Sequence, residues 1–486
     1  MKILFIQPKS INRVIENANH IYNFEPLGIY YLASLMLAEY EIDFLDLINE
    51  STDLGESEIV SNKIKHFNPG IIVFSALTSV RTSSINKSCK LIKNINSDII
   101  TIVGGPHAFL MPNDFNNDFI DFLVTKNSIP FFVQIISMLS KGFSVQQVKE
   151  TITGSCLLEK SKLKELPIPH REIGVRYKSK YSIAIGKPGI QKIKEPISSI
   201  KTSSGCPFRC NFCCLWQLYP KYEKREVDPI IDELKIIETD YVFFADDESM
   251  IDMNFMNQLA DKIIENNISK KYVMYSRVDS IVRNEKIIEK WAQVGFTQIW
   301  LGLEGCTDLQ LKRYEKKNHI FDQEKAIKIA RKYNISVHAT ALVDYTFSKS
   351  DFNRMLDYTK NHLGLTSCHF FILTPFRGTK YHSELIKSQP ELFLTHNPDH
   401  YSIRQSVLKP EKMSIDEFHF EYAELQRKFN SDTIPFECNS FEKKEYEDEF
   451  KELKKMNMPL YENILNSHLE YETTSANNLI TEYALY

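Results

Sequence analysis

Three cysteines crowd into one short stretch of the chain, Cys206-Pro-Phe-Arg-Cys210-Asn-Phe-Cys213. Thiolates in this CxxxCxxC spacing can bind three irons of a 4Fe-4S cluster from one loop, which leaves the fourth iron open to a substrate. The alternative is a structural zinc site, which usually takes four ligands from two separated pairs. The sequence has no second CxxC, and Cys214 directly follows Cys213, a poor geometry for sharing one ion. The number and spacing of the ligands therefore predict the cluster.

The cysteine motif directly follows the first strand of a predicted βα series. Short apolar runs that read as strands recur with helical segments between them, at residues 197–202, 241–245, 272–275, 298–303, 336–343 and 368–373. Such a series predicts a partial (β/α)6 barrel, whose functional site lies at the carboxyl ends of the strands. The cysteines stand at that rim.

A CxxxCxxC motif placed after the first strand of such a barrel resembles the radical S-adenosylmethionine superfamily. The resemblance implies that Cys206, Cys210 and Cys213 hold the cluster and are the catalytic cysteines. It further implies that S-adenosylmethionine chelates the open iron and that one electron breaks its carbon–sulfur bond. The resulting 5′-deoxyadenosyl radical abstracts hydrogen from carbon.

The resemblance also assigns contacts with S-adenosylmethionine. These residues lie beside the cysteines or at the ends of later strands: Phe212, Asp246, Asp247, Glu248, Ser276, Arg277 and Glu304. By this resemblance, the acidic group after the second strand receives the ammonium of the methionine moiety. Ser276 and Arg277, after the third strand, contact the ribose and carboxylate, and Phe212 packs near the adenine. Glu304 lies in Gly-Leu-Glu, similar to the superfamily's Gly-x-Glu. For the acidic group a Mg²⁺ site or a helix cap is the alternative, and for Arg277 a surface ion pair.

The first 150 residues show a second alternation of strands and helices. Strands are predicted at residues 3–6, 42–47, 71–74, 99–103 and 119–124, and helices at 27–37, 57–66, 83–93 and 131–139. This rhythm predicts a doubly wound, Rossmann-like parallel sheet that binds ligands at the carboxyl ends of its strands.

Within this sheet, Ser75-Ala-Leu77 is followed after 26 residues by Gly104-Gly105. The spacing resembles that of cobalamin-binding domains, in which a hydroxyl and bare glycines meet the nucleotide tail. A sheet without a ligand is the alternative. The residues assigned to cobalamin are Ser75, Leu77, Arg81, Gly104, Gly105 and His107.

Two of these residues have open alternatives. Arg81 lies beneath the corrin without coordinating cobalt, or it is an ordinary residue at a helix start. His107 is a neighbour of the corrin, or a hydrogen-bonded structural histidine. Residues 8–18 contain no histidine, so we expect cobalt to lack a histidine ligand from that loop.

Composition limits the classes of partner. The 486 residues carry 59 basic and 63 acidic side chains, a formal net charge of −4, so the chain lacks the polybasic field that holds nucleic acid. No apolar run reaches the roughly 18 residues of a membrane span. Nine cysteines, an odd number, suit reduced thiols, and we expect a cytoplasmic protein.

Four regions are predicted. They are a cobalamin-binding domain at 1–150, a linker at 151–195, the radical S-adenosylmethionine partial barrel at 196–400 and a helical carboxyl-terminal region at 401–486.

Within the superfamily, residues 344–352, 373–375 and 408–418 look most like hopanoid C-3 methylases. This resemblance implies a cobalamin-dependent methyltransferase that acts on a carbon of a small-molecule or lipid substrate. One S-adenosylmethionine methylates reduced cobalamin to methylcobalamin, a second gives the radical, and flavodoxin or ferredoxin supplies low-potential electrons. The alternatives are a cyclase or rearrangement enzyme with the same cofactors, and a noncatalytic iron–sulfur or zinc-binding regulator.

Overall fold

The computed structural model describes residues 1–430 apart from 11–21, 51–53, 126–127, 155–162 and 188–189. Most of the histidine-free loop at 8–18, and the carboxyl-terminal region beyond residue 430, thus lie outside the described residues. No helix of the described part is long and apolar enough to cross a membrane.

The amino-terminal part forms a five-stranded parallel sheet. In chain order the first six strands are β1 (Lys2–Gln7), β2 (Tyr22–Asn23), β3 (Glu41–Asp46), β4 (Ile71–Ser75), β5 (Ile100–Gly104) and β6 (Phe122–Val124). All but β2 join this sheet, in the order β3-β1-β4-β5-β6. Ile3 and Phe5 pack into one apolar layer while Leu4 and Ile6 pack into another, so both faces of the sheet are buried. The predicted doubly wound sheet is confirmed.

The second part of the chain forms an eight-stranded sheet that curls into a half-barrel. The remaining strands are β7 (Ser182–Lys187), β8 (Ile190–Ile200), β9 (Ser203–Ser204), β10 (Glu223–Lys224), β11 (Tyr241–Phe244), β12 (Lys271–Arg277), β13 (Phe296–Glu304), β14 (Ser336–Val343) and β15 (Cys368–Ile372). The order is β15-β14-β13-β12-β11-β8-β7-β2, and the six strands from β8 to β15 in it run parallel. The predicted partial (β/α)6 barrel is confirmed.

Helices cover both faces of the first sheet and the outer face of the half-barrel. They are α1 (Leu27–Met36), α2 (Glu56–Phe67), α3 (Thr82–Ile95), α4 (Pro106–Leu110), α5 (Ser128–Ser140), α6 (Val145–Gly154), α7 (Leu215–Leu218), α8 (Val227–Ile236), α9 (Met253–Glu265), α10 (Val278–Arg283), α11 (Glu285–Val294), α12 (Asp308–Arg313), α13 (Ile320–Lys332), α14 (Lys349–Leu356), α15 (Lys380–Ser388) and α16 (Ile415–Asn430). Phe243 and Trp300 point into the half-barrel, whereas Val242 and Phe244 pack under the helices.

One part of the half-barrel sheet was not foreseen. The predicted linker at 151–195 contains β7 and the first half of β8, which pair antiparallel in that sheet. The two-residue strand β2 pairs with β7 and so brings the amino-terminal segment to the edge of the barrel sheet.

Candidate active site

Two carboxylates after β11 hold the chain that leads into the cysteine loop. Asp246 is buried and accepts hydrogen bonds from the backbone N–H groups of Thr202 (2.8 Å) and Ser203 (2.9 Å). Asp247 accepts one from the N–H of Gly205 (2.6 Å), the residue before Cys206. Burial raises the pKa of Asp246. The first two members of the acidic group thus position the cysteine loop through its backbone.

The cysteine loop lies at the rim of the half-barrel. Cys210 is buried, and Cys206 and Cys213 are half-buried. Burial raises the pKa of the Cys206 and Cys213 thiols, so binding of a cation there releases their protons. Among the described residues, no three His, Cys, Asp or Glu side chains converge on one metal-ion position. A four-iron cluster does not need such convergence, because each thiolate binds a different iron.

The third member of the acidic group joins two strand ends. Glu248 is buried and accepts hydrogen bonds from the Ser276 hydroxyl (3.0 Å) and the Arg277 backbone N–H (2.6 Å). The Arg277 guanidinium lies 3.5 Å from the Cys210 sulfur and stacks 3.6 Å from the centre of the Phe208 ring. Burial raises the pKa of Glu248. The predicted nucleotide contacts at β11 and β12 therefore touch one another and the cysteine loop.

The end of β13 contributes a buried ion pair. Glu304 has a left-handed φ of 69°, and its carboxylate lies 2.7 Å from the Lys316 ammonium. The backbone of Lys316 accepts a hydrogen bond from Arg277, which ties this turn to β12. Asn318 is buried, and neither atom of its side-chain amide has a partner among the described residues. Sequence reasoning missed Lys316 and Asn318, since neither lies in a motif or at a strand end.

Phe212 lies between the cysteine loop and the turn after β13. It is half-buried and meets the ring of Tyr314 edge-on, with 6.1 Å between ring centres. The Tyr314 hydroxyl lies 3.2 Å from the buried carboxylate of Asp344, just beyond β14. Phe212 therefore packs against the turn after β13, and its role beside the adenine stays a prediction.

The residues assigned to cobalamin lie at the carboxyl edge of the first sheet. Ser75 and Gly104 are register partners at the ends of β4 and β5. Gly105 has a φ of +119°, and a Cβ there would lie 2.8 Å from the Ala76 carbonyl oxygen, so only glycine fits. Leu77, in the loop after β4, and Phe109, in helix α4, have 49% and 39% of their surface exposed. This edge combines close backbone approach with uncovered apolar surface.

Arg81 lies on the same edge, just before α3. It is half-buried, and its Nη1 has no hydrogen-bond partner among the described residues. Burial lowers the pKa of Arg81 to about 10, although the negative charge of Asp46 at the end of β3 acts to raise it. The side chain therefore remains charged at neutral pH. Arg81 thus brings a positive charge and an unpartnered Nη1 to the predicted ligand edge.

His107 does not stand alone. Its Nε2 lies 2.8 Å from the Asp114 carboxylate, which also receives two bonds from the Arg377 guanidinium, at 2.7 and 2.6 Å. Arg377 follows β15, so this chain of contacts joins the carboxyl edges of the two sheets. We call the Asp114–Arg377 pair the rim bridge. The sequence analysis named His107 but neither Asp114 nor Arg377.

Gly378 lies where the two edges meet. Gln217, four residues after Cys213, donates a hydrogen bond to the Gly378 carbonyl (2.8 Å). A Cβ on Gly378 would come within 3.0 Å of Leu110, in the helix that follows Gly105. The cysteine loop and the predicted cobalamin edge are thus separated by one turn of chain.

A second contact between the two sheets uses Glu25, in the Glu-Pro-Leu-Gly stretch before α1. Its buried carboxylate accepts a hydrogen bond from the backbone N–H of Ser199 in β8 (2.7 Å). It also lies 3.5 Å from Arg171, which pairs with Glu233 at 2.7 Å. The stretch therefore starts the first helix and fixes it to the first barrel strand.

The sequence matches two known families. Residues 200–359 match the Radical SAM superfamily, and residues 17–126 match the B12 binding domain. The chain therefore combines a radical S-adenosylmethionine domain with a B12 binding domain. Its cofactors are a 4Fe-4S cluster, S-adenosylmethionine and cobalamin.

Three curated relatives cover most of the chain. An uncharacterised methyltransferase of Pyrococcus horikoshii is 26% identical over 432 residues, which are 84% of this chain and 88% of the relative. The hopanoid C-3 methylase of Methylococcus capsulatus is 22% identical over 413 residues, 83% of this chain and 76% of the relative. The anaerobic magnesium-protoporphyrin IX monomethyl ester cyclase of Rubrivivax gelatinosus is 24% identical over 362 residues, 71% of this chain and 62% of the relative.

A solved structure shows the same fold. It is that of the cobalamin-dependent S-adenosylmethionine radical enzyme OxsB with aqua-cobalamin and S-adenosylmethionine bound. The TM-score is 0.69 at 15% sequence identity, covering 97% of this chain and 75% of that chain.

The side chains of the two edges fit the three cofactors chemically. At the barrel rim three thiols stand beside buried polar atoms that lack partners in the described part of the chain: Ser204 Oγ, Ser249 Oγ and the amide of Asn318. At the other edge lie the uncovered Leu77 and Phe109 and the charge of Arg81. Thiolates suit iron, unpaired polar groups suit a nucleotide, and an apolar rim suits a macrocycle.

Proposed function

We propose that this enzyme transfers a methyl group from S-adenosylmethionine to a carbon atom of a small-molecule or lipid substrate. The observation that carries the proposal is the turn at Gly378, which touches both Gln217 and Leu110. A radical generator and a methyl carrier are useful together only when a substrate carbon can meet both. When bound, the cluster and S-adenosylmethionine supply the means of removing hydrogen, and the corrin supplies the methyl carrier.

The residues of this chain bind and orient. Cys206, Cys210 and Cys213 hold the cluster, and Asp246 and Asp247 fix their loop by its backbone. The other residues bind S-adenosylmethionine in this proposal. Glu248 or Asp247 receives its ammonium group, Ser276 and Arg277 contact its ribose and carboxylate, and Phe212 packs beside its adenine. Glu304 lies nearby with its partner Lys316.

Ser75, Gly104 and Gly105 receive the nucleotide tail of cobalamin in this proposal, with Leu77 against the macrocycle. Arg81 would contact the corrin without supplying a ligand to its cobalt. His107 acts as a positioning residue through Asp114. The rim bridge joins the two edges, and in this proposal that contact helps to exclude water between them.

The test uses S-adenosylmethionine with a trideuterated methyl group, reconstituted holoenzyme and a chemical reductant, with mass spectrometry of corrin and nucleosides. We expect the label on the corrin, S-adenosylhomocysteine as its by-product, and 5′-deoxyadenosine. Cys210→Ala should abolish 5′-deoxyadenosine while the corrin stays bound. A corrin that never gains label while 5′-deoxyadenosine forms would overturn methyl transfer.

The second candidate is a cyclisation or rearrangement that uses the same cofactors without net methyl transfer. The specific observation in its favour is the similarity to the magnesium-protoporphyrin cyclase over 71% of the chain. The outcome just described, 5′-deoxyadenosine without labelled corrin, would favour this candidate. Membership in a superfamily of enzymes favours both over a noncatalytic regulator.

A further inference from the structure

An exposed basic face surrounds the loop that holds the three cysteines. We define this basic face by five exposed side chains from residues 206–222 and 312–319: Arg209, Lys221, Lys312, Arg313 and Lys317. The only acidic side chain in these two segments is Glu315. Because the whole chain has a formal net charge of −4, this local excess of positive charge does not follow from composition.

The basic face lies against the backbone of the cysteine loop on two sides. The Arg209 guanidinium donates to the carbonyl oxygens of Cys206 (3.1 Å) and Pro220 (3.4 Å), next to Lys221. On the other side, Asn211 donates from its amide to the Arg313 carbonyl oxygen (2.9 Å). A partner bound on this face would therefore lie directly over the cluster ligands.

Most of these charges are available to a partner. In the described part of the chain, Lys221, Lys312 and Lys317 form no ion pair, and Arg313 lies 3.5 Å from Asp344 with 41% of its side chain exposed. Unpaired surface charge contributes little to folding stability. It does raise the rate at which a partner of opposite charge meets the surface.

We propose that the basic face docks a small acidic electron-carrier protein of low potential, with a flavin or iron–sulfur centre. The inference rests on the proposed function, in which the cluster must receive an electron from outside the chain. One electron leaves the reduced centre of the carrier and enters the cluster, and no atom or proton is transferred. Short-lived electron-transfer complexes use small interfaces, below about 1,200 Å², in which charge supplies much of the specificity.

The experiment compares charge-reversal variants on and away from the face. Lys312→Glu/Lys317→Glu and, separately, Lys221→Glu alter its two sides. Lys65→Glu/Lys141→Glu is the matched control, because both lysines are exposed and lie in the first domain, outside the basic face. Isothermal titration calorimetry with oxidised flavodoxin measures binding. Formation of 5′-deoxyadenosine is measured with reduced flavodoxin and, in parallel, with dithionite, which needs no docking surface.

We expect each face variant to bind flavodoxin about tenfold or more weakly at low salt, with the difference shrinking as ionic strength rises. The face variants should form 5′-deoxyadenosine more slowly with reduced flavodoxin but at the wild-type rate with dithionite. The control variant should match wild type in all of these measurements. Equal flavodoxin affinity in wild type and both face variants overturns the docking proposal. The docking proposal is also overturned if the face variants lose binding to anionic phosphatidylglycerol vesicles while their affinity for flavodoxin is unchanged. That result assigns the face to a membrane surface. If wild type forms no 5′-deoxyadenosine with dithionite, the proposed function is contradicted instead. The calorimetric affinities for flavodoxin still test the docking proposal in that case.

Discussion

At the scale of single residues, four neighbouring cysteines differ in their surroundings. Cys210 is 7% exposed and lies 3.5 Å from the Arg277 guanidinium. Cys214 instead directly precedes the four-residue helix α7 and has no such cation beside it in the described residues. The Arg277 contact therefore sets Cys210 apart from Cys214, which the sequence spacing alone made a poor partner.

This difference predicts opposite outcomes for two alanine variants. Wild type should hold about four irons and four sulfides per chain, Cys210→Ala should hold little of either, and Cys214→Ala should match wild type. Iron and sulfide analysis of anaerobically reconstituted protein measures the contents. If Cys214→Ala loses the cluster as completely as Cys210→Ala does, the ligand assignment is wrong.

Arg81 permits a test of the lower face of cobalt. Its half-buried guanidinium has an unpartnered Nη1 at the proposed corrin edge. If it lies beneath cobalt, Arg81→His should place a coordinating nitrogen there, whereas wild type should show none. Electron paramagnetic resonance of the Co(II) form reports such a ligand as nitrogen superhyperfine splitting. Thr78→His, exposed on the same loop, is the control; splitting in wild type, or none in Arg81→His, contradicts the placement.

At the scale of elements, apolar runs predicted the strands that are buried on both faces. Strand β14 was predicted with its observed ends, and β1, β4 and β5 to within one residue at each end. The hairpin of β7 and β8 was missed because Gly186, Pro188 and Gly189 interrupt its sequence pattern. A two-residue strand such as β2 has no periodicity to detect, since its pairing depends on β7 about 160 residues away.

The candidate site was predictable where chemistry sits in a motif or at a strand end. The cysteines, the acidic group after β11 and Glu304 were named on that basis. The hydrogen bonds of these residues were not predictable. Asp246 and Asp247 accept hydrogen bonds from the backbone just before the cysteines, and each of these contacts joins residues more than 40 positions apart. The rim bridge joins positions 263 residues apart, and no local pattern encodes such a pair.

Two glycines of the first domain offer a matched comparison. Gly105→Ala would force a Cβ to within 2.8 Å of the Ala76 carbonyl at a φ of +119°, so we expect a loss of stability of about 1–3 kcal/mol and poorer cobalamin retention. Gly28→Ala, in α1, meets nothing within 4 Å and should be neutral or stabilising by up to about 1 kcal/mol. Denaturant unfolding and corrin content after gel filtration measure both. Equal stability and equal cobalamin content in the two variants would contradict the role assigned to Gly105.

At the scale of the whole molecule, polar contacts fix the two sheets to each other at separate points. Glu25 reaches Ser199 and Arg171 near the first barrel strand. Asp399 accepts a hydrogen bond from Ser83 at the start of α3, and the rim bridge joins the turns after β5 and β15. Such contacts restrict rotation of one domain against the other. A substrate held between two cofactors requires this restriction, because a small misplacement of reacting groups costs rate steeply.

The rim bridge is the contact nearest the proposed reaction space, and its removal should loosen the cofactors relative to each other without releasing them. Asp114 and Arg377 are 8% and 16% exposed, so Asp114→Ala leaves a largely buried guanidinium and His107 without their partner. We expect destabilisation by about 3 kcal/mol for either single variant, and less than additive loss in Asp114→Ala/Arg377→Ala. Iron and cobalamin contents should stay at wild-type values, because neither residue is a proposed ligand.

Pulsed electron paramagnetic resonance between Co(II) cobalamin and the reduced cluster tests this loosening without the substrate. Wild type should give one narrow distance distribution, which broadens in each single variant and in the double variant. Arg354→Ala removes an exposed pair with Asp351 and should change neither the distribution nor, by more than about 1 kcal/mol, the stability. If all rim-bridge variants keep the narrow distribution, the remaining contacts of Glu25 and Asp399 suffice to align the cofactors, and the bridge has a structural role only.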